Sequence, residues 1–300
     1  MSEFRVNSIT NLDGLKGPKI AGVTTFSGVS GMKIPTGSTN ERKLPAGYVS
    51  EGIKFYIDVS HPDSYTPGET SITDIILGTQ DTVFHGAPVF AVKDGVQSLY
   101  FDGSDDGIRM DRADSVAYIP DGGPLSFSTW VYVASDYTDG GALMSNQRCN
   151  SPSFQLWING GGGYNPSTVP GILQWRVCSG SNYVTDTQNE QIGKGVPLTP
   201  NDVAVYQDRR GAWMNVASTF SGTTAKIYVN GELTGVNRSA GDAFSQQAPT
   251  VTGLTFMNRH PCGSTSWVKG WFSQAAVYRH ELTAAEVLQN FNALKERHNK

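Results

Sequence analysis

Asn-Gly set directly after an alternating apolar run is the strongest short-range signal for a β-hairpin. Here Asn230-Gly231 follows Ala225-Lys226-Ile227-Tyr228-Val229. The same grammar recurs along most of the chain. Residues 53–57, 98–101, 125–133, 154–158, 173–177, 213–220, 254–257 and 270–278 are short runs rich in β-branched and aromatic side chains. Asp102-Gly103 closes one of them and the glycine-rich stretch 159–163 closes another. The 34 glycines and 15 prolines among 300 residues suit so many reversals. Many short strands separated by regular turn signals predict an all-β sandwich.

The two ends of the chain depart from this pattern. Thr283 stands three residues before Glu286, the spacing of a capping box, and Val287, Leu288, Phe291 and Leu294 then share one helical face. Lys295 and Arg297 follow where cations suit the negative end of a helix dipole. This predicts one amphipathic helix lying across an edge or end of the sandwich. The first 45 residues hold short apolar pieces broken by Gly, Pro and Thr, as in 17–28, with no helical period. A segment of that length hardly buries a core of its own. It is expected to be an extended arm that docks on its own domain, on sister chains or on a partner. The organisation is then an arm of residues 1–45 and a domain of 46–300.

Composition excludes several classes. Hydrophobic residues at 38% and aromatics at 10%, with a net charge of −4, exclude a disordered chain. No apolar run reaches the ~18 residues of a membrane span, and Met1-Ser2-Glu3-Phe4-Arg5 lacks the apolar core of a secretion signal. The acidic balance, without a large basic cluster, argues against nucleic acid as a partner. Cys149, Cys178 and Cys262 form no Cys-x-x-Cys; three free thiols are expected, with a Cys149–Cys178 bridge as the alternative.

Five stretches together resemble a known family. They are 52–58 with His61-Pro62-Asp63-Ser64-Tyr65, the Phe-Asp-Gly-x-x-Asp turn at 101–106, the strand 125–132, the hairpin 213–231, and the closing strand and helix start at 277–286. In this order they are similar to the laminin-G-like, or concanavalin A-like, jelly rolls, over residues 46–300. The resemblance implies a concanavalin A-like β-sandwich jelly roll with a short C-terminal helix and an extended N-terminal arm. That fold carries lectins, adhesins, enzymes and structural modules alike. The glycine-rich arm joined to this jelly roll, and the ending 289–295, are similar to virion proteins of tailed phages, notably marine cyanophages. This narrower resemblance implies a non-enzymatic structural protein on the surface of the particle: a tail fibre, appendage or capsid decoration. It implies attachment to other virion proteins through the arm, assembly as a homo-oligomer with a trimer favoured, and adhesion to host-surface glycans. The alternative is a calcium-assisted carbohydrate-binding lectin module, and the third reading is a glycoside hydrolase.

Candidate site residues follow from strand parity and spacing. A hydrolase needs two carboxylates flanking the scissile bond, and no strand carries a Glu-x-Asp-x-Glu run. The five histidines have no metal-ligand spacing, and no Gly-x-Ser-x-Gly occurs. Asp102, Asp105 and Asp106 gather three carboxylates in the family's turn, a candidate calcium site. The other reading of the same residues is a turn whose Asp side chains bond their own backbone. Side chains alternate faces along a strand. Trp157, Arg176 and Tyr228 therefore fall on polar-side faces and are candidate glycan contacts, or contacts with another chain.

Overall fold

The computed structural model describes residues 44–78, 82–110, 123–146, 153–158, 173–178, 208–222, 224–237, 254–258 and 266–300. The chain divides into two units, Met1–Ser38 and Thr39–Lys300. The arm expected over 1–45 lies outside the described residues except for Leu44 and Pro45, as do Cys149 and Cys262.

Fourteen strands and one helix make up the described part. One antiparallel sheet joins β1 (Ile53–Asp58), β3 (Val89–Lys93), β4 (Val96–Asp102), β6 (Leu125–Val133), β10 (Trp213–Phe220), β11 (Ala225–Val229), β12 (Glu232–Asn237) and β14 (Lys269–Tyr278). Its order is β12-β11-β10-β6-β14-β4-β3, with β1 also pairing to β14. The second sheet runs β2-β5-β13-β7-β8-β9. Its strands are β2 (Thr82–His85), β5 (Gly107–Met110), β7 (Gly141–Ser145), β8 (Ser153–Ile158), β9 (Leu173–Cys178) and β13 (Thr255–Phe256). The expected sandwich is therefore present, with all its described pairings antiparallel.

Alternation decides which residues fill the space between the sheets. In β6, Phe127, Val131 and Val133 turn inward, meeting Ile108, Met144, Leu156 and Phe256 of the other sheet in one core. Phe55 stacks on Phe256 at 5.8 Å, and Phe256 meets Phe272 at 5.7 Å, so aromatic contacts cross the gap between the sheets. Buried rings of this size each contribute a few kcal/mol of apolar burial. The expected hairpin at Asn230-Gly231 forms, with both residues left-handed (φ 52° and 80°) as a type I′ turn requires. A second such turn, Asp94-Gly95 (φ 52° and 82°), joins β3 to β4.

The outer face of the eight-stranded sheet carries a second cluster, which includes Trp130, Trp213, Tyr228 and Tyr278. Its roof is the helix α1 (Ala284–Leu294), a 3-10 turn at Lys295–His298, and residues 44–49. The predicted capping box exists: Thr283 Oγ1 accepts from the Glu286 amide, and Glu286 reaches back to the Thr283 amide. Leu288, expected on the buried face, is exposed, and Asn290 is buried in its stead. Asn290 satisfies its amide on both sides, accepting from Val49 N at 2.8 Å and donating to the Tyr278 hydroxyl at 3.0 Å. Arg297 serves the helix end less than it serves Asp58, whose buried carboxylate it grips at 2.9–3.1 Å. His298 slides between two indoles, stacked on Trp130 at 3.9 Å and edge-on to Trp213 at 5.2 Å.

Candidate functional site

The roof covers only part of the outer face. Beside it, register aligns one row of side chains across five strands: Val89, Tyr100, Trp271, Tyr132 and Trp213. Trp213 is buried beside His298, whereas Tyr100, Trp271 and Tyr132 keep part of their surface open. These three rings floor a cleft of about 690 Å³, within the range of small-ligand sites. Trp271 lies 4.9 Å from Tyr100 at 46° and 5.2 Å from Tyr132 at 86°. The mixed tilts make a stepped apolar surface.

Each ring is where alternation puts it. Tyr100 lies between the core residues Leu99 and Phe101, Tyr132 between Val131 and Val133, and Trp271 between Gly270 and Phe272. Gly270 is dictated by close approach: a Cβ there would lie 2.2 Å from the carbonyl oxygen of Tyr132. A bulge between Phe272 and Gln274 then resets the faces of β14. It frees Ser273 to meet His298, whose Nε2 lies 3.2 Å from the serine Oγ.

Polar groups stand at both ends of the aromatic floor. Lys93 Nζ lies over Tyr132, 4.6 Å from its centroid, and 5.3 Å from that of Trp271, distances at which a cation is attracted to a ring face. It also donates to Asp94 at 3.3 Å. Desolvation opposes its charge, but Asp94 and Tyr132 together hold the ammonium above the ordinary lysine value. On the opposite rim Lys269 donates to Asp136 at 2.5 Å. That bond lowers the carboxyl of Asp136 and raises Lys269. The rim is braced from beneath. Arg210 donates to the Tyr137 carbonyl while its guanidinium grips Asp208 at 2.7–3.1 Å. The Tyr137 hydroxyl donates to Trp267 O at 2.8 Å. The cleft thus offers ring faces, cationic donors and one carboxylate acceptor. That is the chemistry a sugar needs, with its apolar C–H face and its ring of hydroxyls.

The residues singled out from sequence do not form this cleft. Tyr228 is 2% exposed, buried in the cluster under the roof, and Trp157 is 7% exposed, its indole packed against Gly140. Neither presents an open ring, because a polar-side position in a strand is not an open one when another element covers that face. The Arg176 side chain lies outside the described residues. Its backbone pairs with Gln155 in the second sheet, a different layer from Tyr228. Strand parity in the sequence does not single out Tyr100, Tyr132 and Trp271, although Tyr100 and Tyr132 are each flanked by two core residues and Trp271 by Phe272, a signal of opposite facing.

Asp102, Asp105 and Asp106 do come together, with one carboxylate oxygen from each within 4.8 Å of the others. Asp106 is buried, and both its oxygens are engaged: Oδ1 accepts from Ala87 N at 2.7 Å and Oδ2 from Asp102 N at 3.0 Å. Asp102 Oδ1 accepts from Ser104 N at 2.7 Å. These bonds tie β5 to the turns before it. Calcium takes six to eight oxygens, and this triad already spends three of its six on backbone amides.

Comparison with known proteins places the fold. No curated protein matches the sequence. The binding domain of botulinum neurotoxin DC, solved in complex with SialylT, superposes with a TM-score of 0.54 at 13% identity, covering 81% of this chain and 52% of that one. Domain 4 of AbnA, a GH43 extracellular arabinanase from Geobacillus stearothermophilus, solved with arabinotriose, gives 0.52 at 13% identity over 79% of this chain and 97% of that one. A mutant Trypanosoma rangeli sialidase displaying trans-sialidase activity gives 0.51 at 10% identity, over 82% and 33% respectively. At these identities the likeness is one of fold, and this chain spans about half the length of the toxin chain. The family model described as the concanavalin A-like lectin/glucanases superfamily matches residues 102–288, more than half of the sequence, and the chain belongs to that superfamily.

Proposed function

We propose that this protein is a non-catalytic display domain that binds saccharides in the cleft of Tyr100, Tyr132 and Trp271. The observation that carries the reading is the cross-strand row of three part-open rings with Lys93 at one end and the Lys269–Asp136 pair at the other. Two fold relatives solved with SialylT and with arabinotriose support it by analogy. A non-catalytic role is supported by the acids of the cleft. Glycoside hydrolysis uses a pair of carboxylates across the bond. The described lining offers one, Asp136, already paired with Lys269.

The setting we propose is the surface of a tailed-phage virion, with the N-terminal arm attaching the domain to other virion proteins and the assembled copies forming a homo-oligomer. The support is the resemblance carried by the glycine-rich arm and the ending 289–295, in a chain that divides into the units Met1–Ser38 and Thr39–Lys300. Leu44 is buried in the outer cluster, so a truncation that tests the arm should stop before it. Deleting residues 1–38 is expected to abolish incorporation into particles while the remaining domain folds. Normal incorporation of that chain contradicts the virion role.

A glycan array probed with the full chain tests the binding function. Wild type is expected to retain one class of saccharide. Trp271→Ala is expected to weaken it about tenfold or more, the loss of one stacking aromatic. Silence of the wild type, or unchanged binding by the variant, contradicts the reading.

A further inference from the structure

We propose that this cleft prefers acidic to neutral saccharides. Lys93 supplies the ammonium that meets the acidic group, and Asn299 at the carboxy terminus holds Lys93 in position. The inference rests on the saccharide-binding reading above and narrows it to a ligand class. Two ammonium groups, Lys93 and Lys269, line the cleft, each beside one carboxylate: Asp94 at 3.3 Å and Asp136 at 2.5 Å.

Position matters more than count. The Lys93 ammonium lies 4.6 Å from the Tyr132 centroid and 5.3 Å from that of Trp271, so a ligand settling on those rings comes to lie beside it. Docking strips water from the side of the ammonium that faces neither the rings nor Asp94. Burying a charge without a compensating partner is costly. A sugar hydroxyl compensates in part, whereas a carboxylate or sulfate oxygen forms a charge-assisted bond of roughly twice the strength. The same lysine that shades the aromatic floor from a neutral sugar thus rewards an acidic one.

The lysine's own placement is fixed from the end of the chain. Lys93 enters the tight Asp94-Gly95 turn, and both neighbouring carbonyls are held. Trp213 Nε1 donates to Lys93 O at 3.1 Å, and Asn299 Nδ2 donates to Asp94 O at 2.8 Å. His298, the residue before Asn299, stacks on Trp130 at 3.9 Å and meets Trp213 edge-on at 5.2 Å. Lys93 is therefore the contact residue and Asn299 a positioning residue acting through it.

The test compares matched ligands by calorimetry on the full chain: an oligogalacturonate against its methyl ester, and a sulfated galactan oligosaccharide against its desulfated form. At least one acidic member is expected to bind about tenfold more tightly than its neutral parent, the size of one charge-assisted hydrogen bond. That advantage is expected to fade at high salt, as an ionic contact near the surface must. Lys93→Gln should erase the difference, and Asn299→Ala should narrow it while the fold, followed by circular dichroism, is kept. Equal binding of acidic and neutral members, lost in Trp271→Ala, overturns the acidic preference and leaves the saccharide reading standing. Binding of no member overturns both. An acidic preference that persists in Lys93→Gln overturns the role given to that lysine.

Discussion

His298 gives the sharpest handle on how the roof is held. Burial pushes its imidazole down to about 3 from the ordinary 6.5, with Arg297 adding to the effect and a bond to Leu294 O opposing it. The neutral ring is well served: Nδ1 donates to Leu294 O at 3.0 Å, which leaves Nε2 to accept from Ser273 Oγ. A histidine whose native value lies below its unfolded value binds its proton first in the unfolded chain. Stability from this group is therefore complete above pH 6.5 and is lost progressively as pH falls from there toward 3. At ~1.4 kcal/mol for each tenfold change, acidifying from pH 7 to pH 4 should remove ~3 kcal/mol through this residue alone. His298→Phe keeps a ring on Trp130, removes the titration, and strands two polar partners at a cost of ~1–3 kcal/mol at pH 7. Urea unfolding of both proteins across this range is the assay. The gap between wild type and His298→Phe is expected to shrink by ~3 kcal/mol, closing or inverting near pH 4. Parallel stability curves, or an imidazole NMR signal titrating near 6.5 in the folded chain, would refute the reasoning.

Other perturbations have defined outcomes. Gly270→Ala drives a Cβ into the Tyr132 backbone. It should cost ~3 kcal/mol or more, seen as a fall in the urea midpoint; a neutral effect would mean that β6 and β14 are not so close. Arg297→Met strands the buried Asp58 carboxylate, whose remaining bonds come from the Tyr56 hydroxyl and Ser60 N. The expected loss is ~2–4 kcal/mol, less than for a fully buried pair because Arg297 is itself part-exposed. Asp106→Ala removes two charge-assisted bonds to backbone amides and should destabilise by ~2–4 kcal/mol. Because that triad acts as a turn brace, the melting temperature should be the same with excess calcium as with chelator. A calcium-dependent rise would assign a metal to it.

The sandwich was legible because its central strands speak clearly. Residues 125–133 and 213–220 combine β-branched and aromatic side chains, and Asn230-Gly231 permits few conformations other than a tight hairpin. The helix was legible from Thr283 and Glu286, whose capping bonds depend on neighbours three residues apart. The strand Val89–Lys93 was not read as one, despite the Asp94-Gly95 turn behind it. It is short and apolar on both faces, so no period marks it. The cleft was not legible, for a different reason. Parity tells which side of a sheet a residue faces and says nothing of what covers that side. Tyr228 faces a roof made by residues more than fifty positions away, and Tyr132, Trp271 and Tyr100 become neighbours only because β14 inserts between β6 and β4. The burial of Asn290 over Leu288 is nonlocal as well, set by the Val49 amide and Tyr278 hydroxyl waiting on the sheet.

Aromatic NMR spectra recorded while the tightest saccharide from the array is titrated into the full chain test the site most directly. The ring signals of Tyr100, Tyr132 and Trp271 are expected to move together along one binding curve, with those of Trp157 and Tyr228 unmoved. Shifts centred on the Asp102–Asp106 turn or on Trp157, with the three cleft rings silent, would contradict the assignment of the cleft.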